Sequence, residues 1–94
     1  DKIKNIIEKE LNRNPSYNVK LIGYTDEWET DKTNYEALSR QRALVVRQYF
    51  IDNGLEANRI TYDGFGNENP VGDNKAWSGR RKNRRVEIYI QFGK

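Results

Sequence analysis

Ninety-four residues are one domain's worth of chain, small enough that the core is modest and each buried group matters. Charged residues make up 33% and apolar ones 35%, yet two Trp, six Tyr and three Phe with clear periodicity argue against disorder, and the net charge is only +3. With neither cysteine nor histidine, the chain has no disulfide, no zinc–thiolate site, no catalytic thiol and no serine–histidine triad.

In chain order, residues 1–13 read as a helix, with Ile3, Ile6, Ile7 and Leu11 on one stripe. Asn14-Pro15 ends it, because the residue before a proline is pushed out of the helical region. The start is amphipathic rather than a secretion signal, so that if the protein is exported its signal is expected outside this chain, and no apolar run approaches the roughly 20 residues that span a bilayer. "YNVKLIGYT" alternates and predicts a strand over 17–24. A polar stretch from Asp26 to Thr33 leads into a long helix through Asp52, closed by "DNG" with Gly54 as its cap. "RITYDGF" begins as a second strand and breaks into the turn-rich "GFGNENPVGDN". A short helical stretch is expected around 76–83, and "RRVEIYIQF" closes the chain as a strand. Strands and helices in this order predict an α+β domain with helices on one face of a mixed sheet.

Along the long helix, Leu38, Val45, Val46, Tyr49 and Phe50 form the expected apolar stripe, and Arg42 falls between Leu38 and Val46 on it. A guanidinium there is costly unless something anionic meets it. Two readings stay open. Either Arg42 carries its head to the domain edge over a packed stem, or it points into a pocket beside the end of strand 17–24, where Asp26 lies. An Asp and an Arg side by side suit a zwitterion, one accepting from an ammonium and the other donating to a carboxylate, with their mutual salt bridge as the plain alternative.

Arg80, Arg81, Lys82, Arg84 and Arg85 crowd one short run. Its default reading is a solvated face, kept for Arg81 and Lys82. A nucleic-acid grip would need stacking aromatics; Tyr62, Phe65, Tyr89 and Phe92 are candidates, but the RNP pattern is missing. Glu27, Glu29 and Asp31 lack the EF-hand order and read as solvated, so no metal and no cofactor is expected, and no carboxylate pair points to an enzyme.

"LIGYTD" at 21–26, "LSRQRA" at 38–43, "NRITYDGFGNENPV" at 58–71 and "DNKAWSGRRKNRRVEI" at 73–88 occur in the order and near-spacing of the OmpA-like domain, the peptidoglycan-associated module of OmpA, Pal and MotB, which the chain resembles from about residue 3 to 90. The resemblance implies a βαβαββ fold whose first strand would precede Asp1 and be missing from this chain, making residues 1–94 an N-terminally truncated domain. It implies non-covalent binding of the diaminopimelate of the peptidoglycan stem peptide, in the periplasm of a diderm bacterium, anchoring an outer-membrane or envelope protein to the cell wall. Membrane attachment would come only through the parent protein.

Carried over, the ligand-binding residues are Asp26 of the "TD" motif with Thr25 beside it, Arg42 of "LSRQRA", and Arg84 as the first arginine of "NRRV". Tyr35 stands where the family favours an asparagine, with Asn34 one step earlier. "TDEWETD" lacks the family's glycine and holds one residue more, so the loop is expected to be reshaped, with Trp28 covering or crowding the site. A bare sheet edge is expected to invite pairing by upstream residues, a second copy in a dimer, or a neighbour. The alternatives are the same fold in a structural or protein-interaction role without peptidoglycan binding, and a basic nucleic-acid-binding domain.

Overall fold

The computed structural model describes residues 1–93. Helix α1 runs over Lys2–Ile6 and widens into a π-helical turn at Ile7–Leu11, where the Asn12 N–H reaches back to the Ile7 carbonyl. Strand β1 is Asn18–Tyr24, helix α2 is Tyr35–Asp52, β2 is Ile60–Gly64 after a 3-10 turn, α3 is Trp77–Asn83 and β3 is Arg85–Gln91. The sheet is mixed, in the order β2-β1-β3, with β1 parallel to β2 and antiparallel to β3. The α+β architecture expected from the sequence is therefore present.

Helix α2 ends as "DNG" predicts. Gly54 has φ +99°, the Leu55 N–H bonds the Phe50 carbonyl and the Gly54 N–H bonds the Ile51 carbonyl. This paired closure satisfies carbonyls that the helix end would otherwise orphan, and Phe50 and Leu55, which flank the turn, are both buried in the core.

The buried line of α2 differs from the expected stripe. It is Ser39, Ala43 and Phe50, whereas Val45 is 62% exposed and Leu38 and Val46 are half-buried. The cause is how closely the helix lies on the sheet. A Cβ on Gly23 would stand 1.8 Å from the Ser39 carbonyl oxygen, and one on Gly64 2.3 Å from the Arg40 nitrogen. Such an approach leaves room only for small residues on the helix, so bulky side chains are displaced to its flanks. Arg42 sits on one of those flanks, beside the loop that follows β1. The core gathers below, from Ile7, Leu11, Val19, Leu21, Ala43, Phe50, Leu55 and Ile60.

Candidate functional site

The C-terminal end of β1, the flank of α2 and the junction of α3 with β3 converge on residues 25–29. Asp26 is the hub. Its side chain turns back onto its own loop, Oδ1 accepting from the N–H groups of Trp28 and Glu29 at 2.7 Å each, while Oδ2 accepts from Arg84 Nη1 at 2.7 Å. The residue is 1% exposed. Burial pushes the Asp26 carboxyl up, but the Trp28 N–H, Arg84 and the Glu29 N–H outweigh it and hold its pKa below the ordinary aspartate value.

Arg42 does not bond to Asp26. Its guanidinium grips Glu29 with both Nη atoms and also donates to the Tyr24 carbonyl at 3.1 Å. The Glu29 carboxylate raises the Arg42 pKa further above its already high value. Glu29, expected in solvent, is only 16% exposed at its side chain. Its Oε1 accepts from Arg42 and, at 2.9 Å, from the Asp26 N–H. The two expected partners thus belong to two neighbouring pairs, Asp26–Arg84 and Glu29–Arg42. The sequence offers Glu29 three residues past Asp26 as a second carboxylate for the same arginine, a pairing that spacing alone does not select.

The other expected residues distribute as follows. Thr25 is buried and fixed by its N–H to the Gly66 carbonyl at 2.7 Å, while its Oγ1 has no partner among the described residues. The Tyr35 hydroxyl donates to the Glu27 carbonyl, tying the loop to the start of α2. Asn34 is exposed and donates to Asp31 Oδ1 at 3.0 Å, so its side chain braces the loop and does not join the charged pairs. Trp28 is 63% exposed and lies against the Arg80 guanidinium, 4.0 Å from ring centroid to Cζ, at the rim instead of over the site.

The basic run is divided by its surroundings. Arg80 stacks on Trp28, Arg84 pairs with Asp26, and Arg85 lies over Tyr24 and bonds Glu87 at 2.8 Å. Arg81 and Lys82 are exposed, as expected. Of the four candidate stacking aromatics, Phe65 and Tyr89 line one open cavity with Tyr24 and Lys20, Phe65 edge-on to Tyr24 and Tyr89 bonded to Glu87, whereas Tyr62 lies beside Arg47 and Phe92 edge-on to Tyr17.

One positioning residue escaped the sequence reading. Asn83 is 1% exposed, and its Oδ1 accepts from the N–H groups of Val71 and Gly72 at 2.8 Å, while Nδ2 donates to the Gly72 carbonyl and to Asn74 Oδ1. Asn74 Oδ1 in turn accepts from the Glu27 N–H at 3.2 Å. The chain Asn83–Asn74–Glu27 therefore clips loop 70–74 to loop 25–29 and fixes the residue before Arg84. At its buried end both Asn83 side-chain atoms are bonded, the condition under which a buried polar group rigidifies a site.

A model of the OmpA family matches residues 1–84. Outer membrane protein A of Bordetella avium is 44% identical over 69 residues, which are 73% of this chain and 35% of that protein. The peptidoglycan-binding protein ArfA of Mycobacterium bovis is 38% identical over 88 residues, 94% of this chain and 27% of that protein. The chain thus spans about a quarter to a third of the length of these relatives. Among solved structures, the periplasmic domain of Helicobacter pylori MotB superimposes with a TM-score of 0.80 at 26% identity, over 96% of this chain and 57% of that one.

Proposed function

The chain belongs to the OmpA family, and from that premise we propose that it is a non-catalytic module that binds peptidoglycan through the diaminopimelate of its stem peptide, tethering a periplasmic or outer-membrane parent protein to the cell wall. The observation that carries this reading is a carboxylate already seated between the Asp26 N–H and the Arg42 guanidinium. A site built to hold one carboxylate with two convergent donors, next to the buried anion of Asp26, matches the carboxylate and ammonium of an amino acid. Thr25 Oγ1, buried and unpartnered among the described residues, is a further polar atom that a ligand could satisfy. A relative named for peptidoglycan binding, aligned over 94% of the chain, supports the same reading.

The test is co-sedimentation with purified sacculi. Hydrogen bonds to charged groups contribute about 1.5–3 kcal/mol each, and about 1.4 kcal/mol is a factor of ten. Asp26→Asn and Arg42→Ala are therefore each expected to weaken binding at least about tenfold. Sedimentation of both variants as efficiently as the parent would refute the site.

A structural or protein-interaction role without wall binding is the second reading, favoured by one specific fact: Asp26, Arg42 and Arg84 all have partners within the chain. Failure of the parent domain to sediment with sacculi would select it. A nucleic-acid role draws no support from Arg80, Arg84 and Arg85, which stack on or pair with side chains of the domain itself.

A further inference from the structure

We infer that the Glu29 side chain is a built-in competitor for the ligand carboxylate, so that the domain binds by exchanging an internal carboxylate for an external one and thereby selects ligands that also carry a cationic group. This deepens the peptidoglycan reading and rests on it for the identity of the natural ligand. Glu29 accepts from both Nη atoms of Arg42 and from the Asp26 N–H, which are the donors a bound carboxylate would use. The backbone beneath it is pinned independently. Asp26 Oδ1 holds the N–H groups of Trp28 and Glu29, Asn74 holds that of Glu27, and Tyr35 bonds the Glu27 carbonyl. The movable part is therefore the Glu29 side chain about its own rotors, with the loop backbone staying in place.

The selectivity follows from the exchange. A simple carboxylate replacing Glu29 trades like for like at Arg42 and gains nothing in charge pairing, while it still loses translational freedom on binding. A zwitterion replaces Glu29 at Arg42 and also brings an ammonium beside the carboxylate of Asp26, which in the free domain is paired with Arg84 alone. Only the second ligand makes an ion pair that the free domain lacks. Arginine's planar fork suits the swap, because it binds any carboxylate in the same bidentate geometry.

The experiment measures binding of meso-diaminopimelate and of glutarate, a dicarboxylate without amino groups, to the parent, Glu29→Gln and Glu29→Ala by calorimetry and amide NMR titration. The amide spectra report whether each variant is folded, and two variants of a partly exposed loop side chain guard against loss of one. The parent is expected to bind diaminopimelate and not glutarate. Both variants are expected to bind diaminopimelate at least tenfold more tightly and to acquire glutarate binding with shifts at Asp26 and Tyr24. Equal diaminopimelate affinity in parent and variants, or weaker binding in the variants, would overturn the competitor role while leaving the peptidoglycan reading intact. Gain of glutarate without diaminopimelate or sacculus binding by any form would overturn the peptidoglycan reading and leave the competitor standing. Binding of neither ligand by any form overturns both.

Discussion

Asp26 and Arg84, 58 positions apart in the chain, meet at 2.7 Å through Oδ2 and Nη1. The contact joins the end of the first strand to the entrance of the last, so the same carboxylate that shapes loop 25–29 also locks the two antiparallel strands at the register Tyr24↔Arg85. Under the proposed wall-binding role, ligand recognition and stability are therefore coupled at this residue, and the stability part titrates.

The Asp26 pKa is lower in the folded chain than in the unfolded one, where about 3.9 is ordinary for aspartate. A depressed carboxyl contributes stability that is fully present above the unfolded value and is lost as pH falls through the folded value. The parent is thus expected to lose melting temperature below about pH 4 more steeply than Asp26→Asn, whose amide keeps the acceptor for Trp28 and Glu29 without a charge to titrate. Asp31, Asp63 and Glu87 also have lowered values, but they are common to both proteins and cancel in the difference. Thermal melts of the pair from pH 7 to pH 2 check this, and parallel curves would show that Asp26 is not a source of acid lability.

Asn83→Ala removes four hydrogen bonds and strands the N–H groups of Val71 and Gly72. An unsatisfied buried group costs about 1–3 kcal/mol, so a loss of about 3 kcal/mol is expected in urea unfolding, together with weaker sacculus binding because Arg84 follows directly. Asn83→Asp is expected to be no better, since a second acceptor would face the Gly72 carbonyl and Asn74 Oδ1. An aspartate variant as stable as the parent would contradict this hydrogen-bond assignment.

Arg59 clamps the far end of the domain, its guanidinium donating to the carbonyls of Leu11, Asn14 and Tyr17 at 2.6–3.1 Å. Arg59→Ala is expected to cost about 1.5–3 kcal/mol and leave peptidoglycan affinity unchanged. Lysine, a point donor on a flexible stem, is expected to restore only a minor part of it. Chemical denaturation and sacculus binding measured on the same samples separate the two effects.

Gly23→Ala tests the helix–sheet contact. Its Cβ would meet backbone, at 1.8 Å from the Ser39 oxygen and 3.2 Å from the Ala43 nitrogen, so no side chain can rotate away. A cost at or beyond the upper end of the usual overpacking range, about 3 kcal/mol, corresponds to roughly 12 °C or more in Tm for a domain of this size. A variant melting within a few degrees of the parent would mean that the helix can lift off the sheet cheaply.

These residues also mark how far the sequence could be read. Gly54 after an 18-residue periodic segment identified the end of α2, because a left-handed cap has few other occupants. The alternation in 17–24 and 85–91 located strands for the same local reason. Arg42 was placed among apolar neighbours because Leu38 and Val46 flank it at helical spacing. Which face of a helix goes down, however, is decided by the partner surface, and here two glycines on the sheet admit Ser39 and Ala43. The pairing of Asp26 with Arg84 and of Glu29 with Arg42 was likewise beyond reach from spacing alone. Several cations and several carboxylates come within reach of one another, and only the folded loop selects among the combinations.

Gly23 and Gly64 sit opposite each other in the parallel register of β1 and β2, and α2 rests on both. That contact divides the domain into parts with unequal freedom to change. The floor under Ser39 and Ala43 admits no larger residue without moving a helix or two strands, so the root from which Arg42 projects is fixed in height and direction. Loop 25–34, which holds no glycine pressed against backbone, meets no such limit, whereas Gly72 in the facing loop is held as closely, 2.5 Å from the Gly79 oxygen for an added Cβ. Any diversification of what the domain recognises, in nature or in the laboratory, therefore has to be written into the walls, with the arginine as a constant against which each new loop is measured.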